Sequence, residues 1–173
     1  MATPDAGNPS ARLSHEGRHR HYWTDTIIDN LAVVDLSLLT AADTFDFSRY
    51  VPKDGVTGDP TLNNVESDDI TEVFNSQGAG DWSWEPELSL YMQDPEKGDQ
   101  AFDYFRYGRM GTWIELWAAD ENSPKDGDAA YVRLVESHVP VPLPFTRNQR
   151  QRFRLKLAIV SQPEFAATVV AGS

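Results

Sequence analysis

Apolar residues recur at every second position over several stretches, the period of a strand with one face buried. The clearest run is Phe153, Leu155, Leu157 and Ile159, alternating with Arg152, Arg154, Lys156 and Ala158 in a strand expected over 150–160. Trp82, Trp84, Leu88, Leu90 and Met92 all fall on even positions, interrupted only at Pro86. Strands are also expected over 112–118 and 130–139, and 165–171 reads as a further edge strand. Phe45, Phe47 and Tyr50 alternate less regularly, as in a half-buried strand. The apolar stretch 26–40 fits one or two strands, and its pattern is equally open to a helix. Residues 61–74 read as strand, turn and short strand.

Turn chemistry separates these runs. Residues 51–60 hold two Pro, two Gly and two Asp. Residues 76–81 (Ser-Gln-Gly-Ala-Gly-Asp) read as a turn, and Lys125 to Asp128 as a tight hairpin connection. Pro140, Pro142 and Pro144 make a stiff connector. One helix is expected, with Asp94 as its cap, Pro95 at the first position and Gly108 closing it. Ala101, Phe102 and Phe105 form its apolar face. Many strands around one helix imply a mainly β fold, an antiparallel β-sandwich or barrel with one packed α-helix. The 173 residues suit a single domain over 23–173 with a long loop at 51–64. Residues 1–22, rich in Pro, Gly, Ser, His and Arg without apolar period, read as a flexible N-terminal arm.

Composition narrows the chemistry. The absence of cysteine excludes disulfides, thiol nucleophiles and cysteine-ligated metals. No apolar run reaches membrane-spanning length, and the N-terminus has no apolar centre of a secretory signal, so a soluble protein without a membrane partner is expected. The net charge of −12 is uneven: residues 54–103 hold thirteen acids against Lys97 alone. Conversely Arg147, Arg150, Arg152, Arg154 and Lys156 follow one another with no acid between them. Three readings fit: solvated loops and an outward strand face, complementary surfaces for self-assembly, or an acidic surface that repels a polyanion. The acidic balance argues against a protein that grips nucleic acid.

Candidate catalytic patterns fail on context. His15-Glu16-Gly17-Arg18-His19 spells HExxH, but a Gly interrupts it and no apolar helix face carries it, so the protease reading is rejected. His21 adds only an adventitious third imidazole. Residues 120–128 lack the alternating ligands of a calcium loop. No nucleophile elbow, Walker loop or dinucleotide fingerprint occurs. His138 reads as a structural histidine, and carboxylate pairs such as Asp68-Asp69 or Glu85/Glu87 arise by chance in so acidic a chain. Trp82, Trp84, Trp113 and Trp117 fit core or interface, or alternatively the stacking platform of a carbohydrate-binding β-sandwich. No enzyme activity, cofactor or metal is expected.

The element order resembles the major tail tube proteins of long-tailed (siphovirus-type) bacteriophages, especially those of actinobacterial hosts. The resemblance runs over residues 27–171. It is carried by the strand region 30–50 with its Asp/Gly/Pro-rich loop, by the acidic Val65-Glu66-Ser67-Asp68-Asp69, and by Gly80-Asp81-Trp82-Ser83-Trp84. Tyr107-Gly108-Arg109-Met110-Gly111-Thr112-Trp113 and Phe153-Arg154-Leu155-Lys156-Leu157-Ala158-Ile159 complete it. It implies a structural virion protein, assembled in the host cytoplasm, that self-assembles into hexameric rings stacked as a tail tube. Genome DNA would pass through the lumen without specific binding, with tape-measure and tail terminator proteins as further partners. On that basis the loop 51–64, with Lys53, Asp54, Asp59, Asn63 and Asn64, is expected to meet the adjacent ring. Arg147, Arg150, Arg152, Arg154 and Lys156 are expected to meet an acidic face of a neighbouring subunit.

Overall fold

Alternation becomes strand almost everywhere it was marked. The computed structural model describes residues 19–67, 76–93, 100–117 and 123–171, with backbone alone for 62–67 and 76–82. In chain order the elements are β1 (Arg20–Thr24), β2 (Val33–Asp35), α1 (Leu36–Leu39), β3 (Phe45–Asp46), β4 (Val56–Thr57), β5 (Thr61–Ser67) and β6 (Ser76–Ser83). There follow β7 (Glu87–Tyr91), α2 (Gln100–Tyr104), β8 (Met110–Trp117), β9 (Ala129–Ser137), β10 (Val141–Pro142), β11 (Arg152–Ile159) and β12 (Glu164–Val170). A 3-10 turn, Ser48–Tyr50, lies between β3 and β4.

Ten strands form one curled sheet in the order β3-β1-β8-β9-β11-β7-β4, with β10 on β11 and β12 between β9 and β2. Among the described residues, only the β12–β2 pairing is parallel. β5 and β6 pair with each other as a separate ribbon. The expected mainly antiparallel β fold is therefore present, shaped as a half-barrel with two short helices.

Register decides which side chains share a face. Trp23, Trp113 and Arg133 lie in one row across β1, β8 and β9, and Tyr22, Ile114 and Val132 in the next. Successive rows point to opposite faces. On one face Trp23, Trp113 and Val135 pack with Leu88, Leu90, Phe153, Leu155 and Leu157, under Phe47 and Phe105. On the other, Tyr22, Ile114, Leu116, Val132 and Val169 pack under Leu39 of α1. Both faces of β8 are thus covered, so it reads as a continuous buried run rather than an alternating one. Each fully buried Leu or Phe stabilises the fold by about 1.5–3 kcal/mol.

Several expectations need correction. The arm expected through residue 22 does not include its last three residues, because Arg20, His21 and Tyr22 are in β1, held between β3 and β8. Residues 1–18 lie outside the described residues. The run 26–40 yields a three-residue strand and a one-turn helix, started by the Asp35 carboxylate accepting from the Ser37 N–H at 2.8 Å. The strand expected through Tyr50 stops at Asp46, whose carboxylate accepts from the Ser48 N–H at 3.0 Å and bends the chain into the 3-10 turn. Residues 76–81 are not a turn but most of β6, since Gly78 pairs with Val65 in the ladder. The loop 51–64 contains β4, which satisfies the edge of β7, and the first residues of β5. Residues 164–170 form no edge strand, because β2 lies on the far side of β12.

Helix α2 ends earlier than expected, and its predicted cap at Asp94 lies outside the described residues. It stops before Gly108 because β9 captures the next backbone groups. The Ser137 hydroxyl donates to the Arg106 carbonyl, and the Gly108 N–H donates to the Ser137 carbonyl at 2.8 Å. Gly108, at φ +74°, then turns the chain into β8, a conformation that favours glycine.

Candidate functional site

The basic stretch and the loop expected to serve two different interfaces meet each other within the chain. On β11, alternation turns Phe153, Leu155 and Leu157 inward and leaves Arg154 and Lys156 exposed, with Arg152 partly so. β7 pairs alongside, placing Arg152 opposite Tyr91 and Lys156 opposite Glu87. The Arg152 guanidinium reaches Asp54 at 3.2 Å and lies 5.1 Å from the Tyr91 ring centroid. Arg154 approaches Glu87 at 3.8 Å, and Arg150 lies 5.5 Å from Tyr91. Arg147 and Arg150 are exposed before the strand. Lys53, Asp54 and Asp59 are exposed too, whereas Asn64 sits in the β5–β6 ladder opposite Ala79 and Asn63 at its irregularity. Exposed pairs of this kind contribute about 0–1 kcal/mol each, so this surface adds little to folding and keeps its cationic character.

A second constellation lies inside the fold. Alternation along β1 puts His19 and His21 on the face that also carries Trp23, and β8 brings Glu115 directly opposite His21. One Glu115 oxygen accepts from the Arg133 guanidinium at 2.7 Å, and the other lies 3.9 Å from His19 Nδ1. Both side chains of the Arg133–Glu115 pair are about 5% exposed. The guanidinium stacks 4.2 Å from the Trp113 ring and 4.9 Å from Trp84, with Tyr131 and Phe165 just beyond. Burial pulls the Arg133 pKa below its ordinary value against the attraction of Glu115. Burial likewise pushes His21 down to about 4, opposed by Glu115, so its ring is neutral at pH 7. His19, His21, Glu115 and Arg133 line a cavity of about 720 Å³ together with Ser48, Lys53 and Trp117.

The phage tail tube protein family model matches residues 8–172. The chain belongs to the phage tail tube protein family. No curated protein sequence matches it. Among solved structures, it is similar to a chain in the cryo-EM structure of the anti-feeding prophage baseplate, 6-fold symmetrised. The identity is 14%, 96% of this chain and 98% of the other are covered, and the TM-score is 0.52, a likeness of fold.

In this tail tube protein the remaining candidates are dispersed. His15 and Glu16 lie outside the described residues, and His19 directly precedes the strand that holds His21, not the helix a zinc-protease motif needs. Trp113 is fully buried, and Trp117 packs against Tyr131 and His19. Trp82, Asp68 and Asp69 are outside the described side chains. His138 is exposed just past β9. Sequence reading missed Glu115 and Arg133. The available signal was a charged residue at an inward position between apolar neighbours, Trp113-Ile114-Glu115-Leu116-Trp117 and Val132-Arg133-Leu134.

Proposed function

We propose that this protein forms hexameric rings that stack into the tail tube of a long-tailed phage of an actinobacterial host, the conduit for genome ejection. It acts structurally and not as an enzyme, with tape-measure and tail terminator proteins as partners. The observation that carries this reading is a set of strand edges left unpaired among the described residues, on a chain that belongs to the tail tube family. β3 and β4 end the main path of the sheet, and the β5–β6 ribbon pairs with no other strand. A two-stranded ribbon alone is marginal in water, and closed cyclic assembly supplies the missing strands. The 6-fold symmetrised baseplate containing a chain of similar fold supports a ring of six.

In the assembled tube, Lys53, Asp54 and Asp59 face the adjacent ring, and Arg147, Arg150, Arg152, Arg154 and Lys156 steer an acidic surface of a neighbour into register. A net charge of −12 lets the lumen repel phosphate, so DNA slides without being held. Sedimentation of the full chain across concentration tests the ring. Hexamer-sized and larger species are expected, and a species that remains monomeric at all concentrations and salt levels refutes the proposal.

A further inference from the structure

The start of β1 gathers two imidazoles and a carboxylate beside a cavity. Strand alternation and register bring them together, and one donor atom from each of His19, His21 and Glu115 lies within 4.8 Å of the other two. His21 is 3% exposed, lines the cavity, and its Nδ1 has no hydrogen-bond partner among the described residues. A buried polar nitrogen is normally satisfied, so an unpaired one calls for an occupant.

The donor set specifies the chemistry. Two imidazoles and one carboxylate suit zinc and its first-row neighbours, whereas calcium and magnesium select all-oxygen shells. Bonds of about 2.0–2.2 Å place tetrahedral donors about 3.3 Å apart, so side-chain rotations that close the gap by roughly 1.5 Å complete the shell. The cavity leaves room for water at the remaining position. Arg133 holds the second Glu115 oxygen, as an outer partner orients a ligating carboxylate. Its positive charge opposes the cation and weakens the site.

We propose that His19, His21 and Glu115 bind one divalent cation of the zinc class, fastening the start of β1 to β8. The ion ties His19 and His21, at the start of β1, to Glu115 of β8.

The test uses the full chain, stripped with chelator and titrated with Zn²⁺ by calorimetry and with Co²⁺ by tryptophan fluorescence. The His19 ring lies 4.2 Å from the Trp117 ring and His21 6.1 Å from Trp113, so a paramagnetic ion in this site quenches emission. The expected result is one ion per chain, with affinity at least tenfold weaker in each of His19→Ala, His21→Gln and Glu115→Gln. His19 is partly exposed, so its alanine variant keeps the fold even where the buried substitutions do not, and circular dichroism verifies this. His15→Ala should bind as the parent does. No binding at 100-fold excess Zn²⁺, unchanged binding by the folded His19→Ala variant, or loss on His15→Ala overturns the assignment.

Discussion

The buried Arg133–Glu115 pair tests the reading of the sheet interior through a double-mutant cycle. Arg133→Met removes the guanidinium that donates to Glu115 at 2.7 Å, and leaves a carboxylate 4% exposed without its counter-charge. Breaking a buried pair this way costs about 3–5 kcal/mol. Replacing both partners, as in Glu115→Leu with Arg133→Met, removes the charges together. That change is often neutral or stabilising, offset here by lost cation–π stacking on Trp113 and Trp84 worth about 1–2 kcal/mol. The double variant should therefore lie within about 2 kcal/mol of the parent. The assay is urea unfolding followed by tryptophan fluorescence at low protein concentration with chelator present. With a slope of about 2 kcal/mol/M, Arg133→Met should move the midpoint down by about 2 M and the double variant by less than about 1 M. A double-variant loss equal to the sum of the separate Arg133→Met and Glu115→Leu losses, meaning no coupling, would refute the reasoning that an uncompensated buried charge sets the cost.

Three further outcomes follow from other parts of the fold. Gly111→Ala places a Cβ against the buried Trp23 indole and 2.7 Å from the Thr24 carbonyl oxygen, which cannot move without breaking the β1–β8 ladder. It should destabilise by about 1–3 kcal/mol or more, read as a fall in Tm. Asp25 accepts from Arg109 through both carboxylate oxygens, at 2.8 and 2.6 Å, and this contact holds its carboxyl below the ordinary range. Its stabilisation is therefore present above the ordinary carboxylate pKa and lost as pH falls through the lowered one. Asp25→Asn should lower the unfolding midpoint slightly at pH 7 and leave it unchanged at pH 2; an equal deficit at both contradicts the assignment. Neutralising Arg150, Arg152 and Arg154 together with Gln removes exposed pairs to Asp54 and Glu87, so the monomer should stay folded while sedimentation shows weaker assembly. Normal tubes from that variant would refute the role given to the basic strand.

The strand core was legible because single-face burial leaves a period-two trace, as in Phe153, Leu155 and Leu157 on β11 and Leu88 and Leu90 on β7. Where both faces are buried, as along β8, periodicity vanishes and only the β-rich run remains. Short elements escaped because local hydrogen bonds decide them: Asp35 starts α1 and Asp46 ends β3. Arg20 to Tyr22 looked like tail because the short polar run before Trp23 carries no strand period, although β1 pairs on both sides, with β3 and β8. The ion pairs of Arg152 with Asp54 and of Glu115 with Arg133 join residues on separate segments, and only the assembled sheet brings them together. The strand pattern marked Arg152 as outward, but nothing local marked its partner.

Electron microscopy of the purified full chain at high concentration tests the central claim most directly. The account predicts hollow tubes, or rings with six-fold symmetry in projection, built from this chain alone. Featureless monomeric particles at every concentration, or rings of another symmetry, would contradict it.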